Sequence, residues 1–71
     1  MRLYALETNQ FDYPGVFWMF RFNFEARDDT EASDLALKWA KYQGFATYDV
    51  RTIATPHPDI VPEDHMESFR T

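Results

Sequence analysis

The side chains best suited to chemistry lie near the C-terminus, where two histidines stand among carboxylates. His57 and His65 are accompanied by four acids, namely Asp59, Glu63, Asp64 and Glu67. Histidine and carboxylate side chains are the usual ligands of zinc and non-haem iron sites. The spacing matches no ordered ligand motif, however, and prolines interrupt the segment. We interpret it as a solvated acidic tail, and a small metal-dependent enzyme using both histidines is the least favoured alternative.

The chain has few residues arranged for nucleophilic or acid–base catalysis. Ser33 and Ser68 are its serines, and its two glycines form neither a nucleophile elbow nor a phosphate-binding loop. The adjacent carboxylates Asp28 and Asp29 are explained by the positive end of a helix dipole. We therefore expect a non-enzymatic protein with no catalytic residue, cofactor or metal.

One aromatic segment dominates the sequence. Seven of the nine residues from Val16 to Phe24 are apolar, and aromatic residues favour strands. The period-two pattern predicts a strand over Val16–Glu25, with Trp18, Phe20, Phe22 and Phe24 on one face. Phe17, Met19 and Arg21 then fall on the other face. Exposed rings on such a strand bind RNA in some domains, but 12 acids against 7 Lys and Arg give a net charge of −5, which disfavours nucleic acid and anionic membranes.

The residues after the aromatic strand predict one amphipathic helix that ends near Gln43. Asp28 or Thr30 can cap its first turn, and the pair Asp28 and Glu31 has the spacing of a capping box. Gly44 supplies the left-handed stop. The apolar positions share one face, and they are Ala32, Leu35, Ala36, Trp39 and Ala40. Leu37 is the exception, because it projects from the polar side.

The remaining elements are two further strands and a tail. Arg2 to Thr8 is predicted as a first strand, followed by turn-forming residues from Asn9 to Gly15. Phe45 to Thr55 is predicted as a third strand. Residues 56–71 form an acidic, proline-containing tail in which a short helix can begin at Pro62, and we expect this tail to dock on the core.

These elements predict a ββαβ domain of the α+β class over residues 1–55. The hairpin and the returning helix give a three-stranded antiparallel sheet in the order 2-1-3, with the helix on one face. A chain of 71 residues with 45% hydrophobic and 18% aromatic residues can form one small core. No run of residues is long enough for a signal peptide or a membrane span, so we expect a cytoplasmic protein.

This architecture leaves two surfaces without a predicted partner. The aromatic strand lies at a sheet edge, where a long apolar strand invites pairing with another chain. The sheet face opposite the helix would carry Phe17, Met19 and Arg21 as an exposed patch. Either the tail covers these residues or a partner does.

The chain resembles small phage-encoded inhibitors, including anti-CRISPR proteins, at the level of architecture. The shared features are a short, acidic, cysteine-free chain, a strand pair at Leu3–Thr8 and Val16–Glu25, one helix and a further strand. The resemblance implies a protein that blocks a host complex stoichiometrically, without chemistry of its own. It assigns no individual residue a role.

The sequence therefore favours a protein-binding module that inhibits a nucleic-acid-handling host complex. Apolar residues would anchor the partner, and acids would steer towards a basic patch, imitating nucleic acid. The candidate binding residues are Phe17, Met19, Arg21, Asp28, Asp29, Glu31 and Leu37. The alternative is a structural homodimer formed through the apolar edge strand.

Overall fold

The computed structural model describes residues 1–12, 15–59 and 64–70. Its elements are strand β1 (Arg2–Asp12), strand β2 (Gly15–Ala26), helix α1 (Asp29–Gln43) and strand β3 (Val50–Ile53). Two 3-10 helices complete it, η1 (Thr47–Asp49) and η2 (Asp64–Phe69). The sheet is antiparallel in the order β2-β1-β3, so the predicted α+β class and strand order are confirmed.

Helix α1 has the predicted ends. The Asp28 carboxylate accepts a hydrogen bond from the Glu31 backbone N–H at 2.9 Å, and this bond satisfies one of the free donors of the first turn. Gly44 has a φ of 87°, the left-handed conformation that glycine adopts without steric cost. The buried face of the helix consists of the predicted residues Ala32, Leu35, Ala36, Trp39 and Ala40.

The first and third strands differ in length from the prediction. β1 continues through Asn9 to Asp12 and β2 begins at Gly15, so both strands extend into the predicted turn; its other residues, Tyr13 and Pro14, lie outside the described residues. β3 is four residues long and not eleven, because η1 precedes it. As a result β3 pairs only with Ala5–Thr8 of β1.

A β-bulge corrects the predicted faces of β2. Leu6 pairs with Phe22 but Glu7 pairs with Phe20, so Arg21 is an extra residue in β2. Paired residues point to the same face of a sheet. The bulge therefore turns Trp18 and Phe20 away from the helix, and the predicted continuous face from Val16 to Phe24 is wrong.

The core lies between the sheet and α1. Tyr4, Leu6, Phe22, Phe24 and Val50 supply the sheet side, and the small alanines of α1 pack over their side chains. The tail adds to the same core through Met66, which is 1% exposed, and Phe69 packs against it. Within the described residues, no helix has the length and apolar character needed to cross a membrane.

Candidate functional site

The far half of the β1–β2 hairpin extends beyond the rest of the sheet. β3 pairs with β1 no further than Thr8, whereas β1 and β2 stay paired to Asp12 and Gly15. We call Asn9–Asp12 together with Gly15–Met19 the hairpin arm. Because the arm is two-stranded, its apolar side chains have less of the core to pack against than those of Phe22 and Phe24.

The hairpin arm exposes large apolar side chains on both faces. Phe17 pairs with Gln10 and is 45% exposed, while Val16 on the opposite face is 51% exposed. Met19 pairs with the buried Thr8 and is itself half-buried. Phe17 and Met19 are two positions apart on the same face, and apolar residues that lie together at a surface are typical of interaction sites.

Phe17, Met19 and Arg21 lie on the helix side of the sheet, and not on the opposite face as predicted. Met19 shares the face of Thr8, whose hydroxyl oxygen accepts a hydrogen bond from Arg21 Nε at 3.1 Å. The Arg21 guanidinium also lies 5.5 Å from the centre of the Phe45 ring. The three predicted residues therefore lie together on the helix side, and Arg21 places them near Phe45, just after the C-terminal end of α1.

The face opposite the helix carries an ion pair that sequence reasoning missed. The Arg51 guanidinium donates to Glu7 Oε2 at 2.9 Å from Nε, and its Nη2 lies 2.8 Å from the same oxygen. The guanidinium stacks on Trp18 at 4.2 Å from the ring centre. Glu7 directly follows the apolar run from Leu3 to Leu6 within the predicted strand. An acid at that position was the sequence signal for a charged partner on the sheet.

The tail covers another part of that face. The buried Asn23 side chain donates from Nδ2 to the His57 carbonyl at 2.8 Å and accepts from the His57 N–H at 3.1 Å. The His57 ring lies 4.0 Å from the centre of the Phe20 ring. These contacts fix the chain after β3 over the inner part of β2.

The acids at the start of α1 already have partners within the chain. Asp28 caps the helix, and Asp29 accepts a hydrogen bond from the Tyr4 hydroxyl at 2.8 Å. Burial, followed by the bond to Asp29, raises the pKa of Tyr4 above its ordinary value. Glu31 accepts from the Arg70 guanidinium at 2.9 Å, and the Arg27 side chain lies 3.4 Å away.

The structure does not bring these acids to the hairpin arm. Phe17 and Ala26 are nine positions apart in β2, a separation of about 30 Å at about 3.3 Å per residue. Asp28, Asp29 and Glu31 follow Ala26, so they lie at the opposite end of the sheet from Phe17. A single small contact surface cannot include both groups.

Leu37 stands apart from both groups on the outer face of α1. It is 40% exposed and lines a shallow depression with Asp29, Thr30, Ser33 and Asp34. A lone exposed leucine is common on protein surfaces, so its exposure gives no preference for a binding role.

The histidine-based metal site gains no support from the described geometry. His57 uses its backbone to bind Asn23 and its ring to contact Phe20. Among residues 1–12, 15–59 and 64–70, no cluster of three or more His, Asp or Glu side chains is placed to hold a metal ion. The side chain of His65 and residue Glu63 lie outside what the structure describes.

Comparisons with protein-family models, with curated proteins and with solved structures found no match.

Proposed function

We propose that this chain is a non-enzymatic protein-binding module whose contact surface is the hairpin arm. The observation that supports the proposal is the exposure of Phe17 next to the half-buried Met19 on one face of the arm, with Val16 exposed on the other face. Aromatic residues and methionine are enriched in the centres of protein interfaces. A two-stranded arm that extends beyond β3 can also enter a groove on a partner.

In this proposal the acids at the helix start stabilise the fold and do not meet the partner at the arm. The Asp28 carboxylate caps the helix, the Asp29 carboxylate accepts from Tyr4, and the Glu31 carboxylate accepts from Arg70. The net charge of −5 still attracts a basic partner at long range. We expect the change of Asp28 and Asp29 to Asn to slow association with such a partner at low salt, without changing the dissociation rate.

We further propose that the partner is a cytoplasmic complex that handles nucleic acid and that the chain inhibits it. This step follows the resemblance to small phage-encoded inhibitors and the acidic charge, and it is separate from the location of the surface. Its test is the activity of the captured complex on nucleic acid, with and without a stoichiometric amount of the chain.

The experiment begins with capture of a partner from nuclease-treated lysate of the cells in which the chain naturally occurs. Affinity is then measured by titration with the purified partner for the wild type, Phe17→Asp and Leu37→Asp. Phe17 and Leu37 have similar exposure, at 45% and 40%, so the two variants place the same new charge on different surfaces.

We expect Phe17→Asp to weaken binding at least about 30-fold, as for an interface residue worth about 2 kcal/mol or more. Leu37→Asp should bind like the wild type. The reverse pattern would move the interface to the outer face of α1, and equal binding by all three proteins would refute a role for either surface. Circular dichroism of each variant confirms that the comparison is made between folded proteins.

A further inference from the structure

Within the described residues, the outer edge of β2 has a free stretch between Gly15 and the bulge at Arg21. β2 is an edge strand of the sheet, and in the described residues the tail meets it at Phe20 and Asn23 through His57 and at Glu25 through Arg70. Gly15–Met19 therefore lies on the turn side of these contacts. An apolar edge of this length is a template for another strand.

The contact with Arg70 indicates which residues of β2 direct their backbone outwards. The Glu25 carbonyl accepts a hydrogen bond from the Arg70 guanidinium, so it points away from β1. In an antiparallel strand the N–H and C=O of one residue point to the same side, and successive residues alternate between the two sides. Glu25 points outwards, so Phe22 points towards its partner Leu6 in β1, and the next residue of β1, Glu7, points away from β2. Phe20, the partner of Glu7, therefore points outwards, and so do Trp18 and Val16.

The outward residues are self-complementary about Trp18. A two-fold axis perpendicular to the sheet requires every residue to meet one from the same face. An axis at Trp18 satisfies this requirement, since it pairs Trp18 with itself, Val16 with Phe20, and Phe17 with Met19. All three outward residues then form hydrogen-bonded pairs, about six bonds in total.

The charges of β2 agree with the same register. Arg21 is the single charged residue between Gly15 and Phe22, and in this register it lies opposite Gly15 of the second copy, so the two arginines do not face each other. An axis at Met19 would give fewer hydrogen-bonded pairs. It would place Val16 opposite Phe22, which lies beyond the bulge and on the other face of the sheet. The register about Trp18 therefore makes full use of the free stretch.

We propose that two copies of this chain pair through β2 in an antiparallel register centred on Trp18, forming one six-stranded sheet. The inference goes beyond the proposed function, because it requires no other partner. It also aligns Phe17 and Met19 of both copies in one continuous strip on the helix side.

Engineered cysteines test the register directly, since the chain contains no cysteine. Two Trp18 Cα atoms in a hydrogen-bonded pair are about 5.5 Å apart, within the range of about 4.4–6.8 Å that a disulfide spans. The two Val16 residues are offset by four positions, or about 13 Å. Under mild oxidation Trp18→Cys should therefore cross-link into a covalent dimer, whereas Val16→Cys should cross-link at least tenfold more slowly.

Sedimentation of the unmodified chain provides a second test that does not depend on any cysteine variant. We expect twice the 8.5 kDa chain mass, falling to the monomer on dilution. Val16→Pro removes an outward N–H and should dissociate the dimer, whereas Val16→Thr keeps the N–H and should not. A monomer at every concentration, or cross-linking through residue 16 as fast as through residue 18, would overturn the proposal. A wild-type monomer that still binds a partner through Phe17 would refute the pairing and leave the proposed function standing.

Discussion

Changing Asn23 to Asp tests how firmly the tail is fixed to the sheet. Asn23 is 0% exposed, and its amide both donates to and accepts from the His57 backbone. The substitution keeps the shape of the side chain but replaces the donor with a second acceptor. At neutral pH it places a buried carboxylate against the His57 carbonyl, at a cost of about 3 kcal/mol. For a domain of this size we expect the melting temperature to fall by about 15 °C.

The pH dependence of that loss distinguishes the hydrogen bonds from general damage to the packing. Burial raises the pKa of the introduced carboxyl in the folded state above its value in the unfolded chain. The protonated carboxyl can donate to the His57 carbonyl and accept from its N–H, as the amide does. The stability deficit should therefore be smallest below the unfolded-state pKa and grow as the pH rises through the folded-state pKa.

The measurement is urea unfolding of the variant and the wild type at each pH, compared as a difference in free energy. Asn23→Ala is the matched control, because it removes both hydrogen bonds at every pH and should cost about 2 kcal/mol throughout. A deficit for Asn23→Asp that does not change with pH would refute the assignment of the two bonds to His57.

Three further perturbations follow from single contacts. We expect the wild type to lose stability as the pH rises through the raised pKa of Tyr4, because the ionised oxygen can no longer donate to Asp29; Tyr4→Phe should lack this loss, as unfolding measured between pH 8 and 12 would show. Met66→Ala should lower the free energy of unfolding by about 2–5 kcal/mol if the tail is part of the cooperative core, as measured by calorimetry. Asp28→Ala should cost about 1 kcal/mol through the lost helix cap, whereas Asp28→Asn should cost little, as thermal melts would show.

The parts of the fold that depend on local signals could be predicted from the sequence. The cap at Asp28, the stop at Gly44 and the apolar face of α1 are each determined by residues close together in the chain. The strand order follows equally from the short hairpin and the returning helix. The helix ends and the helix face depend on residues a few positions apart, and the strand order depends on the lengths of the connections. Neither requires knowledge of long-range side-chain contacts.

The bulge at Arg21 could not be predicted, because both faces of β2 carry large apolar residues before it. With Phe17 and Met19 on one side and Trp18 and Phe20 on the other, either phase of the strand buries aromatic rings. The choice depends on long-range contacts of Trp18 with Arg51 and of Phe20 with His57. The predicted site also grouped Phe17 with acids at the other end of the sheet, and that separation follows from the length of β2 rather than from the bulge.

The short edge strand explains why the proposed pairing would stop at two copies. A sheet has two edges, and pairing through both would extend without limit. On this sheet the second edge is β3, which has four residues and ends where the chain turns towards His57. Pairing of β2 with β2 uses the same surface on each copy, so it closes on itself. A long apolar edge beside a short one therefore favours a closed dimer over a filament, and the dilution series in sedimentation would separate the two.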